Sequence, residues 1–398
     1  MSQRLINRSS DLARLRDEGY TLEIRSNHLL LHQVPYVNQN REVRRGTLVS
    51  TLNLAGESTA APETHVASFI GEYPCDQNGV EIEALRYGGA SQLAEDITVD
   101  FSFSNKPPGG YGDYHTKLTG YAAILENYAK AIDPEATAQT YPPYATGEDH
   151  DAPFQYMETA SSLAGIGAFN QKLELSRVAI IGTGGSGSYV LDFVAKTPVK
   201  EIHLYDKDTL LTHNAFRAPG AASLQELEGQ PKKVEYLREK YTNMHRGVIA
   251  HPYDLDESNV QELEGTDFAF LCMDAGPAKA HIVEKLEELN TSFIDVGMGI
   301  DMSDHGLGGI LRATTSTPRR RDHFRKRAPM AGTAAGNEYD RNIQIAELNA
   351  LNAALAVVKW KKLYGFYRDY EDAHNTTYTI DSDMLLSEDK GETTNDQA

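Results

Sequence analysis

The apolar positions change period twice between residues 178 and 205. Residues 178–181 (VAII) form a continuous apolar run, which predicts a strand buried on both faces. A turn rich in glycine follows, with Gly182, Gly184, Gly185 and Gly187. From 188 to 196 the spacing becomes helical, with Val190, Leu191, Phe193, Val194 and Ala195 available for packing, and Pro198 ends the helix. Residues 201–205 (EIHLY) predict a second strand, which runs into Asp206. Strand, tight turn, helix and strand make half of a nucleotide-binding α/β unit. One glycine permits the turn, one lets backbone approach a phosphate, and one lets helix and strand pack closely. The helix N-terminus offers free N–H groups to an anion. Asp206, at the second strand's end, is placed to accept hydrogen bonds from ribose hydroxyls.

The same alternation continues downstream. A helix is predicted over GQPKKVEYLREKY, with Lys232 and Lys233 in its first turn. Then come a strand at 247–251, a helix at 258–263, a buried strand at 268–273 running into Asp274, a helix at 278–289 and a strand at 292–296. Residues 297–309 are rich in glycine and read as a loop before a strand at 309–313. A long helix is predicted from 342 to about 364, with Leu348, Leu351, Leu355 and Val358 on its apolar face. The fold class is therefore α/β: a Rossmann-like, mostly parallel sheet with helices on both faces.

Residues 1–150 follow a different pattern. A short helix at 10–18 precedes β-rich runs at 20–24, 29–37, 47–54, 65–70 and 97–103, and a helix is predicted at 117–131. This reads as a smaller N-terminal α+β domain. A linker rich in Pro, Gly and acidic residues at 142–153 separates it from a second domain, 154–380, and residues 381–398 read as a flexible acidic tail.

Composition narrows the classes. The chain has 398 residues, 40% of them hydrophobic, and a net charge of −19. Such acidity argues against a general nucleic-acid binder. No apolar run is long enough for a membrane span, and the N-terminus has no signal-peptide core, so a cytoplasmic protein is expected. Cys75 and Cys272 are too few for a cysteine-held zinc site, and no zinc is expected. Cys272 lies in an apolar strand and reads as a structural thiol. Residues 314–341 form a long connection carrying Arg319, Arg320, Arg321, Arg325, Lys326 and Arg327, the dense positive patch of the sequence.

A glycine turn alone also fits dinucleotide dehydrogenases. What narrows it is the ordered set that follows: Asp206 and Asp208, then HNAFR with Asn214 and Arg217, then GQPK with Lys232, then FLCMDA with Asp274. In this order and spacing, residues from about 155 to 365 resemble the ThiF/MoeB-like adenylyltransferases and the adenylation domains of ubiquitin-activating enzymes. The resemblance implies ATP- and Mg²⁺-dependent adenylation of the C-terminal glycine of a ubiquitin-like protein, with release of pyrophosphate. It also implies a homodimer and a conjugating enzyme or thiol acceptor downstream. By motif position Arg217 and Lys232 would neutralise the phosphates, Asn214 would hold a phosphate or the metal shell, and Asp274 would bind Mg²⁺. Asp206 would hold the ribose, Asp208 would lie near the metal or triphosphate, and the glycine turn would pass close to the nucleotide.

The sequence departs from the family in three places. Many members carry zinc on paired CxxC motifs, which two cysteines cannot form. Between 154 and 176 there is no arginine to reach the triphosphate, a job that would fall to the 319–327 cluster. Between 297 and 341 there is no cysteine, which excludes a thioester in that loop. The N-terminal domain is loosely similar to ubiquitin-conjugating folds and is expected to bind a partner or modifier, with Cys75 a candidate thioester site. Together these features favour a bacterial ubiquitin-like conjugation system. The rival readings are an NAD-dependent oxidoreductase, which leaves Arg217, Lys232 and Asp274 unemployed, a non-catalytic nucleotide-binding scaffold, and adenylation of a small molecule or RNA base.

Overall fold

The computed structural model describes residues 2–143, 153–330 and 343–390. The chain divides into two compact units, Met1–Gly147 with Met157–Ala164, and Glu148–Tyr156 with Gly165–Ala398.

The first unit is built on a six-stranded antiparallel sheet in the order Thr21–Arg25, His28–Val37, Val43–Thr51, Val66–Ile70, Phe101–Ser104, Arg86–Gly88. The helix Tyr114–Lys130 belongs to the same core: Leu118, Tyr121 and Leu125 are buried together with Leu29, Leu48 and Phe103 of the sheet. It starts earlier than the apolar spacing indicates because Asp113 caps it, accepting from the Thr116 N–H at 2.7 Å.

The second unit carries an eight-stranded sheet in the order Val248–His251, Glu201–Tyr205, Arg177–Ile181, Phe268–Leu271, Ser292–Ser303, Gly306–Ser316, Ala373–Thr379, Met384–Lys390. The first five strands are parallel and the rest antiparallel. Successive residues of the Arg177–Ile181 strand enter different cores. Val178 and Ile180 pack with the helices Gly185–Val194 and Ala346–Leu363, whereas Ala179 and Ile181 pack with Pro277–Glu288. That alternation is what a sheet covered on both faces requires. From the Arg177–Ile181 strand the chain builds outward in one direction, then returns to add Phe268–Leu271 on the other side. The order therefore reverses there, and α/β folds bind ligands at the strand ends beside such a reversal.

Four elements differ from the sequence reading. The helix after the glycine turn begins at Gly185, so Gly185 and Gly187 belong to its first turn. Residues 297–309 are not a loop but most of a long hairpin, Ser292–Ser303 paired with Gly306–Ser316. Its glycines serve close approach: a Cβ on Gly297 would meet the Arg312 guanidinium at 2.4 Å, and Gly309 holds φ +138° against the Gly299 carbonyl. The expected tail is a strand as far as Lys390, because Met384–Lys390 pairs with Ala373–Thr379; residues 391–398 lie outside the described residues. In the helix Ala346–Leu363, Leu351 and Val358 face outward, and Asn349, Asn352, Ala353, Ala356 and Trp360 are buried instead. Of the long connection, 317–330 folds as a turn and the short helix Phe324–Arg327, and 331–342 lies outside the described residues, as does 144–152 of the expected linker.

Candidate active site

At the carboxyl ends of the parallel strands, beside the reversal, lies a cavity of about 900 Å³. Its floor is the glycine turn. Gly182 takes φ +87°, and a Cβ there would sit 2.5 Å from the Cys272 carbonyl oxygen. A Cβ on Gly187 would sit 1.9 Å from the Gly182 carbonyl oxygen, so turn and helix close on each other only without a side chain. Gly184 faces open space, which leaves its backbone accessible to a ligand.

Asp206 lines the cavity but is largely occupied by the turn itself. One carboxylate oxygen accepts from the Thr183 N–H at 2.8 Å and the Thr183 hydroxyl at 3.1 Å, and the other from the Asp208 N–H at 2.9 Å. Asp208 lines the wall with its carboxylate on the Lys233 ammonium at 2.7 Å. That hydrogen bond is the main reason its carboxyl titrates below the usual range.

The two adjacent lysines part company. Lys232 is the N-cap of the helix Lys233–Tyr241, and its ammonium donates to the Lys207 carbonyl at 2.6 Å. Lys232 is not on the cavity wall; Lys233 is, and it is 7% exposed. The lysine on the wall is thus the neighbour of the one expected there, because one step in sequence around a helix start turns a side chain by about 100°.

Arg217 lines the cavity, and its Nε is buried and has no hydrogen-bond partner among the described residues. Asn214 is buried and off the wall; its amide oxygen accepts from the Leu211 N–H at 2.9 Å, and its amide nitrogen lacks a partner among the described residues. Asp274, just beyond the Phe268–Leu271 strand, lines the cavity and is exposed.

Several residues on or next to the wall escaped the sequence reading. Asp295, fully buried, takes both the Lys279 ammonium and the Arg312 guanidinium, and all three lie in or behind the wall. Asn352 donates to the Gly297 carbonyl at 2.8 Å, and Asn349 accepts from the Ser186 hydroxyl at 2.9 Å. The available signals were a lone carboxylate inside the apolar run SFIDV and two asparagines one helical turn apart. Cys272 also lines the cavity, with its thiol pushed up by burial.

The surroundings of Cys75 disfavour the thioester site considered for it. It is 1% exposed, its thiol donates to the Tyr73 carbonyl, and burial followed by Glu81, Asp76 and Glu72 pushes its pKa up. A thioester nucleophile needs access and a thiolate-stabilising cation, and the acidic setting of this turn gives the opposite. Among the described residues no group of three or more His, Cys, Asp or Glu side chains is arranged to hold a metal, and no helix is long and apolar enough to cross a membrane.

An α/β protein with a cation-lined cavity at its topological switch point is a nucleotide-binding protein by architecture. Residues 159–372, more than half of the chain, match the ThiF family, and the chain belongs to it. Residues 10–159 match a domain of unknown function (DUF6791). Over 145 residues the chain is 30% identical to the adenylyltransferase and sulfurtransferase UBA4 of Saccharomyces cerevisiae (strain YJM789), which covers 34% of this chain and 29% of that protein. It therefore spans less than a third of that relative. Among solved structures, E. coli MccB with MccA-N7isoASN matches with a TM-score of 0.45 and 17% identity, over 56% of this chain and 66% of that one. PaaA matches with a TM-score of 0.42 and 15% identity, over 56% of this chain and 75% of that one.

Proposed function

We propose that the second unit is an ATP-dependent adenylyltransferase that activates the C-terminal glycine carboxylate of a ubiquitin-like protein. The observation that carries this reading is the convergence of Arg217, Lys233 and Asp274 on one cavity above an open glycine turn. In the reaction a carboxylate oxygen attacks the α-phosphorus, an acyl–phosphate bond forms, and the bond to the departing pyrophosphate breaks. One anion attacks another, so cations must offset the charge on both sides of the transferring phosphorus. Arg217 and Lys233 are those cations. The turn and the N-terminus of Gly185–Val194 supply backbone N–H donors.

Asp274 fits a magnesium ion. It is an exposed carboxylate on the wall, and magnesium takes one or two such ligands alongside substrate phosphates. When bound, the ion would neutralise phosphate charge. Asp206 holds the turn rigid and leaves little capacity for a ribose, which shifts its expected role from ligand to scaffold of the ligand site. A homodimer, a bacterial ubiquitin-like conjugation system and a cytoplasmic setting are parts of the same proposal. So is a partner-binding role for the first unit.

The test is ATP–pyrophosphate exchange by the purified chain with ubiquitin-like proteins encoded beside it. Exchange that needs both a glycine-ended protein and Asp274, lost in Asp274→Ala, supports the reading. ATP binding with no exchange for any candidate would replace it with a non-catalytic scaffold, and hydride transfer to a nicotinamide would replace it with an oxidoreductase.

A further inference from the structure

The cations of the cavity fall into two groups. Lys207 is paired with Asp254 at 2.8 Å, Lys233 with Asp208 at 2.7 Å, and Lys279 and Arg312 both with Asp295. Arg327 is paired with Asp389 at 2.9 Å and Glu388 at 3.1 Å. Among the described residues the two remaining cations on the wall, Arg217 and Lys326, have no ion pair. A charge already neutralised by a carboxylate offers less to an incoming anion than one that faces only water. Arg217 is absorbed by the adenylation reading; Lys326 is not.

The backbone that carries Lys326 is also held in place. It sits in the short helix Phe324–Arg327, whose other side chains are anchored. Phe324 is fully buried, edge-on to Phe293 at 4.9 Å. Arg325 makes two hydrogen bonds to the Glu287 carboxylate, at 2.9 and 2.7 Å. The Arg321 guanidinium donates to the Glu287 carbonyl at 2.6 Å, His323 meets the Thr315 carbonyl at 2.8 Å, and Arg312 donates to the Arg327 carbonyl. Of the dense basic patch, most members are thus spent on fastening the turn. Among the described residues, the member of the patch on the cavity wall without an ion pair is Lys326.

We propose that Lys326 binds the β- and γ-phosphates of the nucleoside triphosphate. The inference rests on the adenylation reading, which supplies the ligand class. Arg217, Lys233 and the glycine turn would serve the α-phosphate, where the chemistry occurs. A triphosphate brings further negative charge beyond it, and Lys326 is the unneutralised cation remaining to receive that charge. An ammonium suits a role as a point charge on a phosphate chain.

The experiment measures the affinities of ATP, AMP and inorganic pyrophosphate by calorimetry on the full chain. The proteins are wild type, Lys326→Gln, Lys326→Arg and Arg319→Gln. Arg319 is exposed, in the same patch and off the cavity wall, so it controls for general charge. Lys326→Gln is expected to weaken ATP and pyrophosphate by about tenfold and leave AMP unchanged, while Lys326→Arg restores most of the loss and Arg319→Gln changes nothing. Equal weakening of ATP and AMP, unchanged ATP affinity, or an equal loss in Arg319→Gln would each overturn the assignment while the adenylation reading stands. A wild-type chain that binds no ATP would remove the adenylation reading, and this assignment with it.

Discussion

Exchanging either of two adjacent lysines tests the placement of the site more sharply than any other perturbation. Lys233 is buried, with its ammonium 2.7 Å from Asp208 and 3.9 Å from Asp206, on the cavity wall. Lys232 reaches only the Lys207 carbonyl. If Lys233 meets charge that develops during phosphoryl attack, Lys233→Gln removes one preorganised donor. Such a loss costs about 10²–10³ in rate, roughly 3–4 kcal/mol. Lys232→Gln removes one exposed hydrogen bond, about 1 kcal/mol or less, with little effect on rate. The assay is ATP–pyrophosphate exchange at saturating ATP, with Lys233→Arg as the charge-preserving control. Equal loss in the two glutamine variants, or a larger loss at Lys232, would refute the geometry. Stability provides an independent reading. Asp208 has a folded pKa below its unfolded value, first through the Lys233 hydrogen bond. Its contribution is present above the ordinary carboxylate pKa and is lost as pH falls through the folded pKa. Lys233→Gln should therefore remove part of the acid sensitivity of unfolding, a small effect because Asp208 is 57% exposed.

Three further outcomes follow from packing and burial. Gly187→Ala, whose Cβ would lie 1.9 Å from the Gly182 carbonyl oxygen, should lower the melting temperature and abolish ATP binding, whereas Gly184→Ala, which meets nothing within 4 Å, should keep the melting temperature of the wild type; equal melting temperatures for both would contradict the turn as described. Cys75 in the native chain should resist iodoacetamide at neutral pH and react fully only in urea, and Cys75→Ala should retain exchange; rapid native labelling would refute its burial. Lys117, fully buried, donates to the Ser50 hydroxyl at 2.8 Å and the Thr64 carbonyl at 2.9 Å, and burial brings its pKa down to about 8. Between that value and the unfolded value of about 10.4 the unfolded chain holds a proton that the folded chain lacks, so stability rises with pH, by up to about 1.4 kcal/mol per unit. The rise should show from pH 8 to about 10 in urea midpoints read from exchange of the Tyr114–Lys130 amides, and vanish in Lys117→Met; a flat or falling profile in the wild type would refute it.

The strand, turn, helix and second strand at 177–205 were legible because each is local: an apolar run, a glycine cluster and a helical period. Their neighbours were legible only in type. The hairpin Ser292–Ser303/Gly306–Ser316 was hidden because its glycines signal a loop when read alone. In the structure they accommodate Arg312 and the Gly299 carbonyl, contacts that depend on the partner strand. The Met384–Lys390 strand was hidden for a similar reason: its side chains are mostly exposed, so no alternation marks it, and only pairing with Ala373–Thr379 defines it. Asn349 and Asn352 reversed the expected face of their helix because Ser186 and the Gly297 carbonyl wait for them in the core. Leu351 and Val358 gave way. At the cavity, motif position pointed to Lys232, whereas the lysine on the wall is Lys233. Distinguishing Lys232 from Lys233 needed the helix's starting phase, which spacing in a sequence does not carry.

The electrostatics of the cavity follow from partners rather than from totals. The chain has a net charge of −19, which by itself repels a nucleotide. Within the cavity the balance inverts, since among the described residues seven cationic side chains line it against four carboxylates. At about 0.1 M salt the screening length is about 10 Å, so the distant acidic surface is largely screened and the wall decides. The wall also divides its cations by task. Asp295, buried completely, uses Lys279 and Arg312 to fix the base of the hairpin, an arrangement in which removing one cation strands a charge without solvent. Glu388 and Asp389 use Arg327 to fasten the strand that the sequence reads as tail. Those pairs build the shape, and so a substitution in them acts on the fold. Arg217 and Lys326 have no such duty. Charge left uncompensated on the wall of a cavity otherwise tied together by ion pairs is charge kept for a ligand, and a chain of phosphates is the ligand whose charge matches it.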